Sequence, residues 1–311
     1  MKAHQIFETI IKKGISQDPR GKEVVQHYLE EEKERFDKLS QDEKQYYDED
    51  RHWNPYADSR FLTGDKDKEV KRVLMGINID TAEVLLADRM ADKGKPIDLI
   101  IGHHPRGKAL AALHDVMHLQ EDFFANWGIP INVAELLTRE RIGEVERQVM
   151  PMNHNQAVDA AALLGYPMMC THTPADNHVQ TFIQNKINES EPRYVKDIVK
   201  VLKTIPEYQK AIKLNAGPKY VVGKGDNRCG KVLVKFTGGT ACSKDMYEEM
   251  VDVGVGTVVL MHLKEEHRKL VMEKNLNVII AGHMASDSLG MNLAYKDLDM
   301  EVIRCSGLIP P

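Results

Sequence analysis

Cysteine is scarce in this 311-residue sequence: Cys170, Cys229, Cys242 and Cys305 lie far apart and form no C-x-x-C pair. A disulfide framework is therefore not expected, and the pattern suits a reducing compartment. Long apolar runs are missing as well, since stretches such as TVVLM and NVIIAG are far too short for a membrane span. The opening MKAHQIFETIIKKG lacks the apolar core of a secretory signal, so a cytoplasmic protein without a membrane partner is expected. Nor is there a basic surplus. The formal net charge is −5, and residues 29–50 hold ten acidic against four basic side chains, which leaves the rest close to neutral. That balance argues against nucleic acid as a partner, because the acidic stretch would repel phosphate backbones.

What is present suffices for one large or two modest domains with a real hydrophobic core. Residues 1–69 are the polar part. There Val25, Tyr28, Leu29 and Phe36 fall at near-helical spacing among charges, which predicts a helical extension packed on a body. RHWNPYADSRFLTGD, with Pro55 and Gly64, reads as an irregular connector. The body, residues 70–311, opens on KRVLMGINID, an apolar run suited to a buried strand. Asp80 and Glu83 form a D-x-x-E capping signal before AEVLLADRMADKG, Gly94 is placed to end that helix, and PIDLIIGHHP follows as a second buried strand.

The cycle is expected to recur, with GIPINVA in the strand position after a helix carrying His114 and His118. NQAVDAAALLGYP follows as a helix, and PMMCTHTPAD as a short strand running into a loop. Residues 194–214 read as helices of ambiguous extent. Beyond them KVLVKFTGG, TVVLMHL and NVIIAGH alternate with helical segments around KDMYEEMVDVG and EEHRKLVMEKN. Strands alternating with helices predict an α/β fold with a mainly parallel sheet.

Two strand-like runs finish alike, in Gly102-His103-His104-Pro105 and in Gly282-His283. The carboxyl ends of parallel strands line the ligand crevice of an open sheet, so both runs deliver imidazoles to one functional edge. Adjacent residues of an extended chain face opposite ways, which lets His103 and His104 serve different metal ions. Two cations need carboxylates for oxygen ligands and for charge. Asp287 stands four residues after His283, the i, i+4 spacing of a metal pair or of a plain helix-surface contact, and Asp176 lies in THTPAD just past a third expected strand end, with His172 four residues before it.

LMGINIDTAEVLLADRM, DLIIGHHP, THTPAD and VIIAGHMASD stand in the order of the signature blocks of the NGG-one-interacting factor three family, which the sequence resembles from about residue 70 onward. Bacterial members are described as GTP cyclohydrolase type two homologues. The resemblance implies two related α/β lobes, about 70–190 and 215–311, with mainly parallel central sheets flanked by helices. It also implies a dinuclear site for divalent ions (zinc, manganese or iron) between the lobes, held by His103, His104, Asp176, His283 and Asp287, and a toroidal homohexamer. Hydrolysis of a small polar or nucleotide-like substrate is the implied activity, with a non-catalytic metal-binding scaffold or regulatory interaction protein as the alternative. The family pattern closes its last block with Glu, where this sequence has the shorter Asp287.

Further residues have two readings each. His172 either orients Asp176 or a metal-bound water, or caps the loop. Asp80 is either a neighbour of the ligands or simply the helix cap. His267 is a candidate for the pocket wall. Thr237, Gly238 and Gly239 read as ordinary turn residues or as an anion-binding nest. His114 and His118 are expected on the surface or in packing, and Cys242 is an isolated thiol.

Overall fold

The computed structural model describes residues 1–311. Nine strands run in chain order as β1 (Ser59–Thr63), β2 (Arg72–Gly76), β3 (Leu99–Gly102), β4 (Met168–Thr171), β5 (Lys219–Val222), β6 (Lys231–Lys235), β7 (Val255–Leu260), β8 (Asn277–Ile280) and β9 (Glu301–Cys305). They form a five-stranded sheet in the order β1-β4-β3-β2-β9 and a four-stranded sheet in the order β5-β8-β7-β6. Pairing is parallel except at β1 with β4 and β5 with β8, so each sheet closes one edge with an antiparallel strand. The expected α/β class is the one observed, as two mixed but mainly parallel sheets flanked by helices.

The local chemistry explains the frame. β3 and β4 are buried at every position and β2 at four of five, as parallel strands covered on both faces must be. The crossover from β2 to β3 is the helix Thr81–Asp92, capped reciprocally by Asp80 and Glu83 and followed by Gly94 at φ +72°. One core cluster joins Val73, Met75, Leu99 and Ile101 of the first sheet to Leu233, Val258, Leu260 and Val278 of the second. Ala3, Ile6, Phe7, Ile10 and Ile11 of the helix Ala3–Ser16 enter the same cluster. The two sheets are thus fixed against each other by shared apolar packing, with the helices His172–Glu189 and His283–Tyr295 packed side by side at their junction.

Three local expectations change. GIPINVA does not form a strand: Pro130 precedes the helix Ile131–Val149, whose buried positions Ala134, Thr138, Arg141, Ile142, Val145 and Val149 keep a helical period. Seven residues are too few to reveal that period. The THTPAD segment is not a loop but the opening of the helix His172–Glu189, with Pro174 in the first turn, where its missing N–H costs nothing. Within the supposed connector, Ser59–Thr63 forms β1, paired antiparallel with β4.

Candidate metal centre

β3 ends in Gly102, and the chain then presents His103 and His104. β4 ends in Thr171, and the helix His172–Glu189 starts at once, placing His172 and Asp176 one turn apart. That helix start is fixed from outside, since the His172 N–H donates to Ser59 Oγ of β1 at 2.9 Å. β8 leads to Gly282 at φ +110°, where a Cβ would lie 2.6 Å from the Ala216 carbonyl oxygen. Only glycine fits that turn, and it launches the helix His283–Tyr295, with His283 and Asp287 one turn apart.

These elements bring together all five residues of the expected set. His103 Nε2 is 3.4 Å from Asp176 Oδ1 and 3.6 Å from Asp287 Oδ1. The other carboxylate oxygen of Asp287 is 3.4 Å from His104 Nε2 and 3.6 Å from His283 Nε2. Donor atoms of His103, Asp176 and Asp287 fall within 4.8 Å of one another, as do those of His104, His283 and Asp287. Asp287 belongs to both groups, offering a different oxygen to each.

His172 joins as well. With His103 and His104 it makes a third group within 4.8 Å, and its Nε2 is 3.6 Å from Asp176 Oδ2. Its Nδ1 donates to Asp58 Oδ2 at 2.8 Å, which leaves Nε2 as the nitrogen that faces the cluster. Likewise His104 Nδ1 donates to Asn78 Oδ1 at 2.7 Å, an assignment that follows from the amide oxygen being the acceptor.

His103, Asp176 and Asp287 are buried, yet His103 Nδ1 and Nε2, Asp176 Oδ1 and Asp287 Oδ1 have no hydrogen-bond partner. An unpaired buried polar atom costs about 1–3 kcal/mol. Imidazole nitrogens and carboxylate oxygens facing one space are the donor set of a divalent transition metal, so these residues could hold one. The electrostatics are those of a crowded donor cluster. Burial, with Asp287 and Asp58 nearby, raises the Asp176 carboxyl well above the ordinary range despite His172. Burial also opposes ionisation of Asp287, but the facing imidazoles of His103, His104 and His283 outweigh it and hold that carboxyl low. His103 is pushed down to about 4 by burial. His172 goes the other way, to about 9, because Asp176 and Asp58 overcome its burial.

A cavity of about 420 Å³ adjoins the cluster, with His104, His172, Asp176 and His283 in its wall. His262 also lines it, with its ring centroid 5.0 Å from that of His283. Neither His262 nor Asp58 was singled out in the sequence. His262 follows the apolar run of β7 and so carries the same strand-end signal as the others, whereas Asp58 lies in the segment read as a connector. Asp80 stays at its helix cap, bound by Arg106 Nε at 3.0 Å. His267 packs edge-on to Tyr247 at 5.6 Å and is not in the cavity wall. His114 and His118 pair with Asp115 and Glu121.

No protein-family model and no curated protein matches the sequence. Among solved structures, a NIF3 superfamily protein from Sphaerobacter thermophilus superposes with a TM-score of 0.72 at 30% identity, over 81% of this chain and 92% of that one. The chain therefore belongs to the NIF3 superfamily, the NGG-one-interacting factor three group that its sequence blocks resemble. Reduced HcgD from Methanocaldococcus jannaschii aligns over 78% of this chain and 87% of its own, at 15% identity and TM-score 0.49. A protein from Thermus thermophilus aligns over 83% and 91%, at 13% identity and TM-score 0.46. No helix is long and apolar enough to cross a membrane.

Proposed function

We propose that the chain is a divalent-metal-dependent hydrolase acting on a small polar or nucleotide-like substrate. The observation that carries this reading is the placement of Asp287 between His103 on one side and His104 and His283 on the other, with the nitrogens of His103 and the facing oxygens of Asp176 and Asp287 buried and unpaired. In this reading His104, His283 and Asp287 hold one zinc, manganese or iron ion, His103, Asp176 and Asp287 hold a second, and His172 completes the shell. Divalent ions bound there supply Lewis acidity and bring the ionisation of a water into the neutral range. The chain's own residues do the rest. Asp58 keeps the His172 ring in one orientation and one tautomer, and Asn78 does the same for His104. The cavity receives the substrate beside them.

A structural metal site has its ligands closed around the ion, while a catalytic one keeps an open position. Four of the six cluster residues line the cavity, which favours chemistry over the alternative of a non-catalytic scaffold. The proposal includes a cytoplasmic homohexamer. The test is hydrolysis of a panel of nucleotides and phosphoesters by chelated protein with manganese, zinc or iron restored. Turnover that depends on one of these ions and is lost in His104→Ala and His283→Ala supports the reading. Full metal occupancy without turnover of any panel member assigns the cluster to the scaffold role.

A further inference from the structure

The cavity wall is strongly one-sided in charge. Arg106, Arg141, Lys235 and Lys264 line it, while its sole acidic residue is Asp176 of the cluster. Three of these cations are already answered, Arg106 by Asp80, Arg141 by Glu144 and Lys264 by Glu266. Lys235 is different. It ends β6, is only 7% exposed, and has no carboxylate within ion-pair distance. Its ammonium donates to the carbonyl oxygens of Thr237 and Thr240, at 2.5 and 3.2 Å. Two carbonyls use two of its three protons and leave its charge uncompensated. A buried ammonium without a counter-ion is destabilising, and it is retained here on the wall of the cavity that adjoins the His/Asp cluster.

The loop after β6 supplies the second observation. Gly238 and Gly239 take φ of +96° and +78°. In this turn the backbone N–H groups of Gly239, Ala241 and Cys242, all residues of the cavity wall, donate no hydrogen bond within the chain. Runs of free backbone N–H groups in glycine turns are anion-binding elements. Lysine and backbone donors therefore meet on one wall, with the donor chemistry of an oxyanion site and no oxyanion acceptor from the chain.

We propose that Lys235 and the Gly239–Cys242 backbone anchor an anionic group, a phosphate or a carboxylate, of the molecule whose other end lies at the His/Asp cluster. This rests on the cavity being a substrate site, and it narrows the substrate class to small oxyanion-bearing molecules. A cavity of about 420 Å³ is of the size used for small ligands. Lys235 is a positioning residue in this account, since it holds the substrate and does not touch the reacting atoms.

The test uses the full chain in two forms, metal-loaded and chelator-treated, titrated with inorganic phosphate and separately with acetate. The chelated form matters because bound ions would attract either anion by themselves. Binding to the chelated protein is expected, weakened about tenfold or more in Lys235→Met and largely kept in Lys235→Arg. Preference for phosphate or for acetate then names the anion. Acylation of Lys235 by acetic anhydride, followed by mass spectrometry of the unmutated protein, gives a readout that needs no variant: the preferred anion should protect this lysine. Equal binding by Lys235→Met, absence of binding by the chelated wild type, or unprotected Lys235 would each overturn the proposal. The metal reading is scored separately, because these outcomes are read on protein without metal.

Discussion

Asp58 Oδ2 and His172 Nδ1 are 2.8 Å apart, a contact between residues 114 positions apart in the chain. Asp58 also accepts from Thr173 Oγ1 at 2.7 Å and from Ser59 Oγ at 3.1 Å. The carboxylate thus fixes both the ring of His172 and the first turn of its helix, and burial would make any loose arrangement costly. Asp58→Asn keeps the shape but removes the charge that holds the His172 proton. We predict a metal affinity lower by about 10–100-fold, measured by competition with a chromophoric chelator. Unchanged affinity would reduce Asp58 to a packing residue.

Asp287 divides its two oxygens between His103 on one side and His104 and His283 on the other. From the sequence, the missing methylene relative to the family's Glu argues for a weak bridge. In the fold the short side chain already faces both groups, and the residue is buried. Asp287→Glu is therefore expected to gain no metal. Overpacking by one methylene costs about 1–3 kcal/mol, so metal content should fall along with the thermal midpoint. A rise in metal per chain would restore the short-bridge argument.

Gly282 connects backbone geometry to the same site. Its φ of +110° and the 2.6 Å approach to the Ala216 carbonyl leave no room for a side chain. Gly282→Ala should lose more than about 1 kcal/mol of stability, read from urea unfolding, and should weaken metal binding through His283. Wild-type stability in this variant would mean that the turn relaxes freely.

Lys235 gives a pH signature. Burial pushes its ammonium down to about 8 from the usual 10.5. Between those values the unfolded chain binds more protons than the folded one, so this lysine makes stability rise with pH across that window. Below about pH 8 the full penalty for its buried charge is present. Lys235→Met should therefore be more stable than wild type at neutral pH, with the advantage shrinking toward pH 10.5. Thermal midpoints of both proteins at several pH values check this. A difference independent of pH would show that the charge is not the cause.

The parts of the site legible in the sequence were those written locally. Gly-His at the end of an apolar run marks a strand end, and i, i+4 spacing marks a shared helix face, so His103, His104, His283 and Asp287 could be singled out from short stretches. Asp176 was visible too, although its segment looked like a loop, because Pro174 reads as a breaker until it is seen in a first helical turn. Asp58 was not legible. Its role depends on β1 pairing antiparallel with β4, a contact between segments more than 100 residues apart that no periodicity encodes. His262 had the strand-end signal, and Glu266 stands four residues on, but no glycine precedes it as Gly102 and Gly282 precede the other strand-end histidines. The helix Ile131–Val149 was hidden for another reason, since the GIPINVA stretch that leads into it is apolar enough to pass for a strand.

The central claim is that His103, His104, Asp176, His283 and Asp287 are metal ligands. Anomalous scattering from crystals of the chain loaded with manganese or zinc tests it most directly. The account predicts two anomalous peaks per chain, one among His104, His283 and Asp287 and one among His103, Asp176 and Asp287. Metal-saturated crystals with no peak among these residues would contradict it.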